Sequence, residues 1–113
     1  MGYNAIGISQ LSLQYVFVPV SVTALDGTPY NPTGDTVELA FMPQATQVPS
    51  SGDWQTAGWA SSTTNVLQPY SAYCLVGPGG TIQLGVGTYV IYVKITDVDE
   101  IPVLQAATLL DVF

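Results

Sequence analysis

The sequence has no histidine and one basic side chain, Lys94, in 113 residues. It therefore has no imidazole to act as a base or metal ligand and no guanidinium to clamp a phosphate. Charged residues make up 8% of the chain, against about 25% in an ordinary domain. Cys74 is the only cysteine, which excludes an intrachain disulfide and a cysteine metal cluster. No apolar run approaches the ~20 residues needed to span a bilayer as a helix. The start, Met1-Gly2-Tyr3-Asn4, lacks the basic region of a secretory signal, so the expectation is a product of a cytoplasm.

What charge there is has one sign. Asp26, Asp35, Glu38, Asp53, Asp97, Asp99, Glu100 and Asp111 give a net charge of −7. Phosphate binding needs clustered Lys and Arg, so the balance argues against nucleic acid and against an anionic membrane. A free domain keeps itself soluble with mixed surface charge. Here Ser, Thr, Gln, Asn, Gly and apolar groups must fill the surface. Such a surface is easily desolvated, and that points to a subunit covered in an assembly.

The length suits one domain, which at this size buries roughly 65% of its unfolded surface. The apolar pattern has a period of two, as in strands. Leu11, Leu13, Tyr15 and Phe17 are expected to share one strand face, with Pro19 interrupting and Val20 to Ala24 resuming. Val37, Leu39 and Phe41 mark a second strand. Trp54 to Ala60, Ala72 to Val76, Thr81 to Leu84, Thr88 to Thr96 and Val103 to Val112 complete the set. Turn clusters fall at Asp26-Gly27-Thr28-Pro29, Asn31-Pro32-Thr33-Gly34-Asp35, Gly77-Pro78-Gly79-Gly80 and Asp97-Val98-Asp99-Glu100. A helical turn fits Ser50 to Trp54. About seven or eight short antiparallel strands with Gly and Pro turns predict an all-β sandwich over residues 11–113. Residues 1–10 read as an N-terminal arm.

The run Leu84-Gly85-Val86-Gly87-Thr88-Tyr89-Val90-Ile91 resembles the E–F corner of immunoglobulin-like and fibronectin III-like sandwiches. In that corner a Tyr hydroxyl bonds back to the chain a few residues upstream. The resemblance implies that Tyr89 is that residue, Leu84 plugs the core and Gly87 relaxes the bend. Ile91 would stand where antibody domains place their second core cysteine.

Candidate chemistry is sparse. Asp97, Asp99 and Glu100 lack the spacing and ligand number of a calcium loop. The Ser50-Ser51-Gly52 and Ser61-Ser62-Thr63-Thr64 clusters have only a carboxylate or Lys94 to activate a nucleophile. Cys74 sits among apolar residues and reads as a small core hydrophobe. No catalytic, cofactor or metal residues are assigned, and the expectation is a protein that is not an enzyme. Trp54, Trp59, Tyr70 and Tyr73 allow a different class, a carbohydrate-binding module with stacked aromatics.

Asn31-Pro32-Thr33-Gly34-Asp35, Asp53-Trp54 with Trp59, Tyr73 through Gly80, Gly87-Thr88-Tyr89 through Ile95, and Glu100-Ile101-Pro102-Val103 occur in that order. Over roughly residues 15–113 the chain resembles small virion-associated proteins of tailed bacteriophages. Ala107 departs from the pattern, which has Gly near that position. The resemblance implies a capsid decoration or minor capsid protein, located in the virion and assembled in the host cytoplasm. A neck, tail or baseplate accessory is the alternative. The implied partners are the major capsid protein, other virion proteins and further copies of the chain. Tyr3, Ile6, Ile8 and Phe113 are the candidate partner contacts.

Overall fold

The computed structural model describes residues 4–20, 32–43, 48–61, 70–96, 101 and 103–113. The strands are β1 (Asn4–Ile8), β2 (Gln14–Val20), β3 (Thr36–Met42), β4 (Gln55–Ser61), β5 (Tyr70–Val76), β6 (Gly87–Thr96) and β7 (Val103–Val112). Short 3-10 turns at Pro32–Gly34 and Ser51–Asp53 are the helical elements among the described residues. The second of these lies where a helical turn was expected. The turns expected at Asp26–Pro29 and Asp97–Glu100 lie outside the described residues, as do 21–24.

The seven strands form one mixed sheet in the order β1-β7-β6-β3-β4-β5-β2. β4 is the hinge of the architecture. Its first half, Gln55 to Ala57, pairs with Val37 to Leu39 of β3. Its second half, Gly58 to Ser61, pairs with Tyr70 to Tyr73 of β5. The sheet thus curls into two limbs, β1-β7-β6-β3 and β5-β2, whose inner faces meet. β2 comes near β7, so the curl almost closes into a barrel. The result is consistent with a β-sandwich.

The core follows from strand alternation. Val37, Leu39 and Phe41 of β3 and Ile91, Val93 and Ile95 of β6 point inward from the larger limb. Val16, Val18 and Val20 of β2 and Ala72, Cys74 and Val76 of β5 meet them from the smaller one. Burying such a side chain contributes about 1.5–3 kcal/mol, so these positions carry the hydrophobic stabilisation.

Four expectations are corrected. Not every pair is antiparallel: β1 runs parallel to β7, with Ile6 opposite Leu110 and Ile8 opposite Val112. Residues 4–8, expected as part of an arm, are therefore an edge strand of the domain. Their alternating isoleucines supply core side chains, and β7 offers an open edge for them. Second, the strand face expected for Leu11, Leu13, Tyr15 and Phe17 is shorter and lies outside: β2 begins at Gln14 and leaves Leu11 and Leu13 before it. Val16, Val18 and Val20 are inside, while Leu11, Leu13, Tyr15 and Phe17 are exposed. Third, Pro19 does not interrupt β2. It faces solvent on an edge strand, where its missing N–H costs no ladder bond. Fourth, Thr81 to Leu84 is not a hairpin strand. Only Ile82 makes a bridge, parallel to Val76.

The Gly77–Gly80 turn explains that last difference. Gly77 has φ +132, and its Cα approaches the Ser12 carbonyl so closely that no side chain fits. The chain leaving β5 is pinned under Ser12 and Leu13. Thr81 N–H then donates to Leu75 O at 2.8 Å and Gly77 N–H to Ile82 O at 2.9 Å. These bonds fold the segment back beside β5.

Candidate interaction face

The outer face of the smaller limb has an unusual chemistry. β2 turns Tyr15, Phe17 and Pro19 to solvent, and β5 turns Ser71, Tyr73 and Leu75 the same way. Register places Phe17 directly opposite Tyr73 and Tyr15 opposite Leu75. The Tyr15 and Tyr73 rings meet edge to face at 5.5 Å, and Phe17 and Tyr73 tilt together at 5.5 Å. Tyr15 and Phe17 are 6.3 Å apart. Gly58 of β4 makes room for Tyr73: a Cβ there would lie 2.7 Å from the ring carbon bearing the hydroxyl.

Leu13 continues the strip beside Gly80, and Leu11 precedes it in the turn before β2. Leu11 is 85% exposed, Tyr15 53% and Phe17 47%. Phe113, also exposed, adjoins this turn, because its carbonyl accepts from Gln10 N–H at 2.7 Å. Its ring lies over Gly7.

No charged residue lies between Met1 and Leu25 or between Trp54 and Val93. β1, β2, β4 and β5 come wholly from those stretches. The smaller limb is thus neutral, and the acids Asp35, Glu38 and Asp111 belong to the other limb and its approach. Lys94 is engaged there. Its Nζ is 3.3 Å from Glu38 Oε1 and 4.7 Å from the centroid of Trp54.

The candidate contacts separate clearly. Ile8 is buried and Ile6 packs against the core, so neither side chain is free to anchor on a neighbour. That expectation is corrected by their place in β1. Phe113 is exposed, and Tyr3 lies outside the described residues. The aromatics expected for sugar stacking are dispersed. Trp59 packs inward and donates Nε1–H to Asp35 O at 2.8 Å, while Trp54 is covered by Lys94. Tyr70 and Tyr73 have opposite parity on β5. The exposed ring cluster joins Tyr73 to Tyr15 and Phe17, two residues that the sequence pattern placed on one strand face. The signal that marks this face in the sequence is the absence of charge on either side of it.

At the corner, Tyr89 is half-buried and its hydroxyl donates to Gly85 O at 2.9 Å. Leu84 packs against the core, and Gly87 opens β6 with φ +154. Cys74 is buried and its S–H donates to Thr56 O at 3.2 Å. Burial pushes this thiol up to about 11, so it carries little thiolate at neutral pH. Among the described residues no group of three or more His, Cys, Asp or Glu converges as a metal site.

Comparison of the chain with protein-family models, with curated proteins and with solved structures finds no match.

Proposed function

We propose that the chain is a non-enzymatic structural protein of a tailed-bacteriophage virion, bound to the head shell as a decoration or minor capsid protein. The observation that carries this reading is the neutral outer face of β2 and β5. Monomeric domains seldom expose a contiguous apolar patch above a few hundred Å² unless it meets a partner. A face without charge suits lasting burial, since no ion needs to be desolvated when it is covered. The reading involves no cofactor, metal, nucleic acid or membrane.

The finer fold assignment is immunoglobulin-like. In such sandwiches strands C, F and G are neighbours in one sheet, and B, E and D in the other. Here β3-β6-β7 stand as C-F-G and β2-β5-β4 as B-E-D. The Tyr89 hydroxyl bond to Gly85 O supports the same assignment. β1 departs from the constant-type pattern by pairing with the G-like strand.

Quantitative mass spectrometry of purified virions tests the function. A lattice-bound head protein is expected in copies comparable to shell subunits or capsomers. A few copies per particle move the assignment to the neck, tail or baseplate. Absence from purified particles overturns it. Contacts between neutral surfaces depend weakly on salt, so washing particles at high ionic strength should leave the protein attached.

A further inference from the structure

We infer that the outer face of β2 and β5 is covered by a second copy of this chain, packed face to face about a two-fold axis. The inference rests on the contact-protein reading above and names a second copy, in place of the shell itself, as what meets this face, so that the pair is the unit held in the virion.

The charge distribution selects the occupant. Each copy carries −7, so two copies repel wherever acidic surfaces approach. The β2–β5 limb is built from stretches with no charged residue. Two copies joined there bring no charged residue of β2 or β5 into the contact, and Glu38 and Asp111 stay on strands of the larger limb. A two-fold contact also matches like with like, and this face is self-complementary in kind: aromatic rings at its centre, with Ser71 of β5 as a neutral polar neighbour opposite Pro19.

Size agrees. Leu11, Leu13, Tyr15 and Phe17 at their observed exposures leave on the order of 400–500 Å² uncovered. Two such patches, fully covered, remove roughly 800–1,000 Å² from water, at the lower bound of a specific interface. A contact at that bound belongs to the weak, reversible class. Its salt response is diagnostic. The contact is apolar and the long-range force is repulsive, so screening should tighten the dimer.

Sedimentation equilibrium of the purified full chain, from about 1 to about 300 µM at low and high NaCl, tests this. Wild type should show a monomer–dimer equilibrium that tightens several-fold with salt. Phe17→Asp and the double variant Tyr15→Ser/Phe17→Ser should be monomeric throughout. Val103→Asp, an exposed position opposite Lys94 on the larger limb, should dimerise like wild type. Dilution of wild type followed by amide NMR locates the contact without any substitution, and shifts should concentrate on residues 11–19 and 71–76. A wild type that stays monomeric at both salts overturns the inference. So do dimerisation retained in both face variants and dilution shifts confined to other strands. A dimer in a chain absent from virions refutes the virion assignment alone. A monomer present in many copies per virion refutes the dimer alone.

Discussion

Tyr89 and Cys74 show how single residues in this domain act through one hydrogen bond each. The Tyr89 hydroxyl closes the bend before β6 by donating to Gly85 O. The bond is exposed to solvent, so its removal leaves no buried orphan, and the cost lies at the low end for a hydrogen bond. Tyr89→Phe should destabilise by about 0.5–1 kcal/mol and lower the melting temperature by about 2–5 °C. A loss several times larger would mean that the corner organises the core. Cys74 is the opposite case, with its S–H buried and its thiol raised to about 11 from 9.0. A raised pKa favours the folded state fully below the unfolded value. That contribution falls as pH rises from about 9 through about 11, because the unfolded thiol ionises first. Alkylation of native protein at pH 8 should therefore be slow and limited by opening, and Cys74→Ala should flatten the alkaline fall of stability. Prompt labelling of folded protein would contradict the burial. The Tyr89 bond was legible in the sequence because it reaches only four residues back, and Cys74 was legible as a core residue from its apolar flanks, whereas its bond to Thr56, 18 residues away, was not.

At the scale of strands, legibility depended on how many solutions the alternation allowed. β3, β6 and β7 were readable because one parity is branched and apolar and the other mixed. β2 was not. Leu13, Tyr15 and Phe17 alternate with Val16, Val18 and Val20, so both parities are apolar and alternation alone does not say which faces inward. The space facing Ala72, Cys74 and Val76 takes the compact valines, and a one-residue change of phase inverts every side chain. The same ambiguity hid the candidate face. β1 was missed for another reason: its partner, Thr108 to Val112, lies at the opposite end of the chain. No local pattern reports a parallel pairing of that kind. Its isoleucines now give a test. Ile8 is 2% exposed, and Ile8→Ala should cost about 2–4 kcal/mol by leaving a cavity. Deleting residues 1–10 should destabilise further, because it also uncovers the β7 edge. Deletion with an unchanged melting temperature would return these residues to the role of a detachable arm.

Across the whole molecule, a neutral aromatic limb is joined to an acidic one, and pH controls only the second. At pH 7 the net charge of −7 keeps copies apart except where the uncharged faces meet. As pH falls toward the isoelectric point near 4.1 the carboxylates titrate and the repulsion disappears. The apolar face is unchanged, since β2 and β5 carry no Asp, Glu, His, Lys or Arg. Asp53 keeps its charge further into the acid range than a free aspartate, because Ser50 donates to its carboxylate from the backbone and the hydroxyl and holds its pKa below the usual 3.8. Association should therefore grow steeply on the acid side while the fold persists. Light scattering is expected to peak near pH 4, with a strand-type circular dichroism spectrum retained. Tyr15→Ser/Phe17→Ser should reduce that peak markedly, because it removes the surface that remains once charge is gone. If the double variant scatters as much as wild type, acid association arises elsewhere, and the aromatic face is not what makes this molecule adhesive.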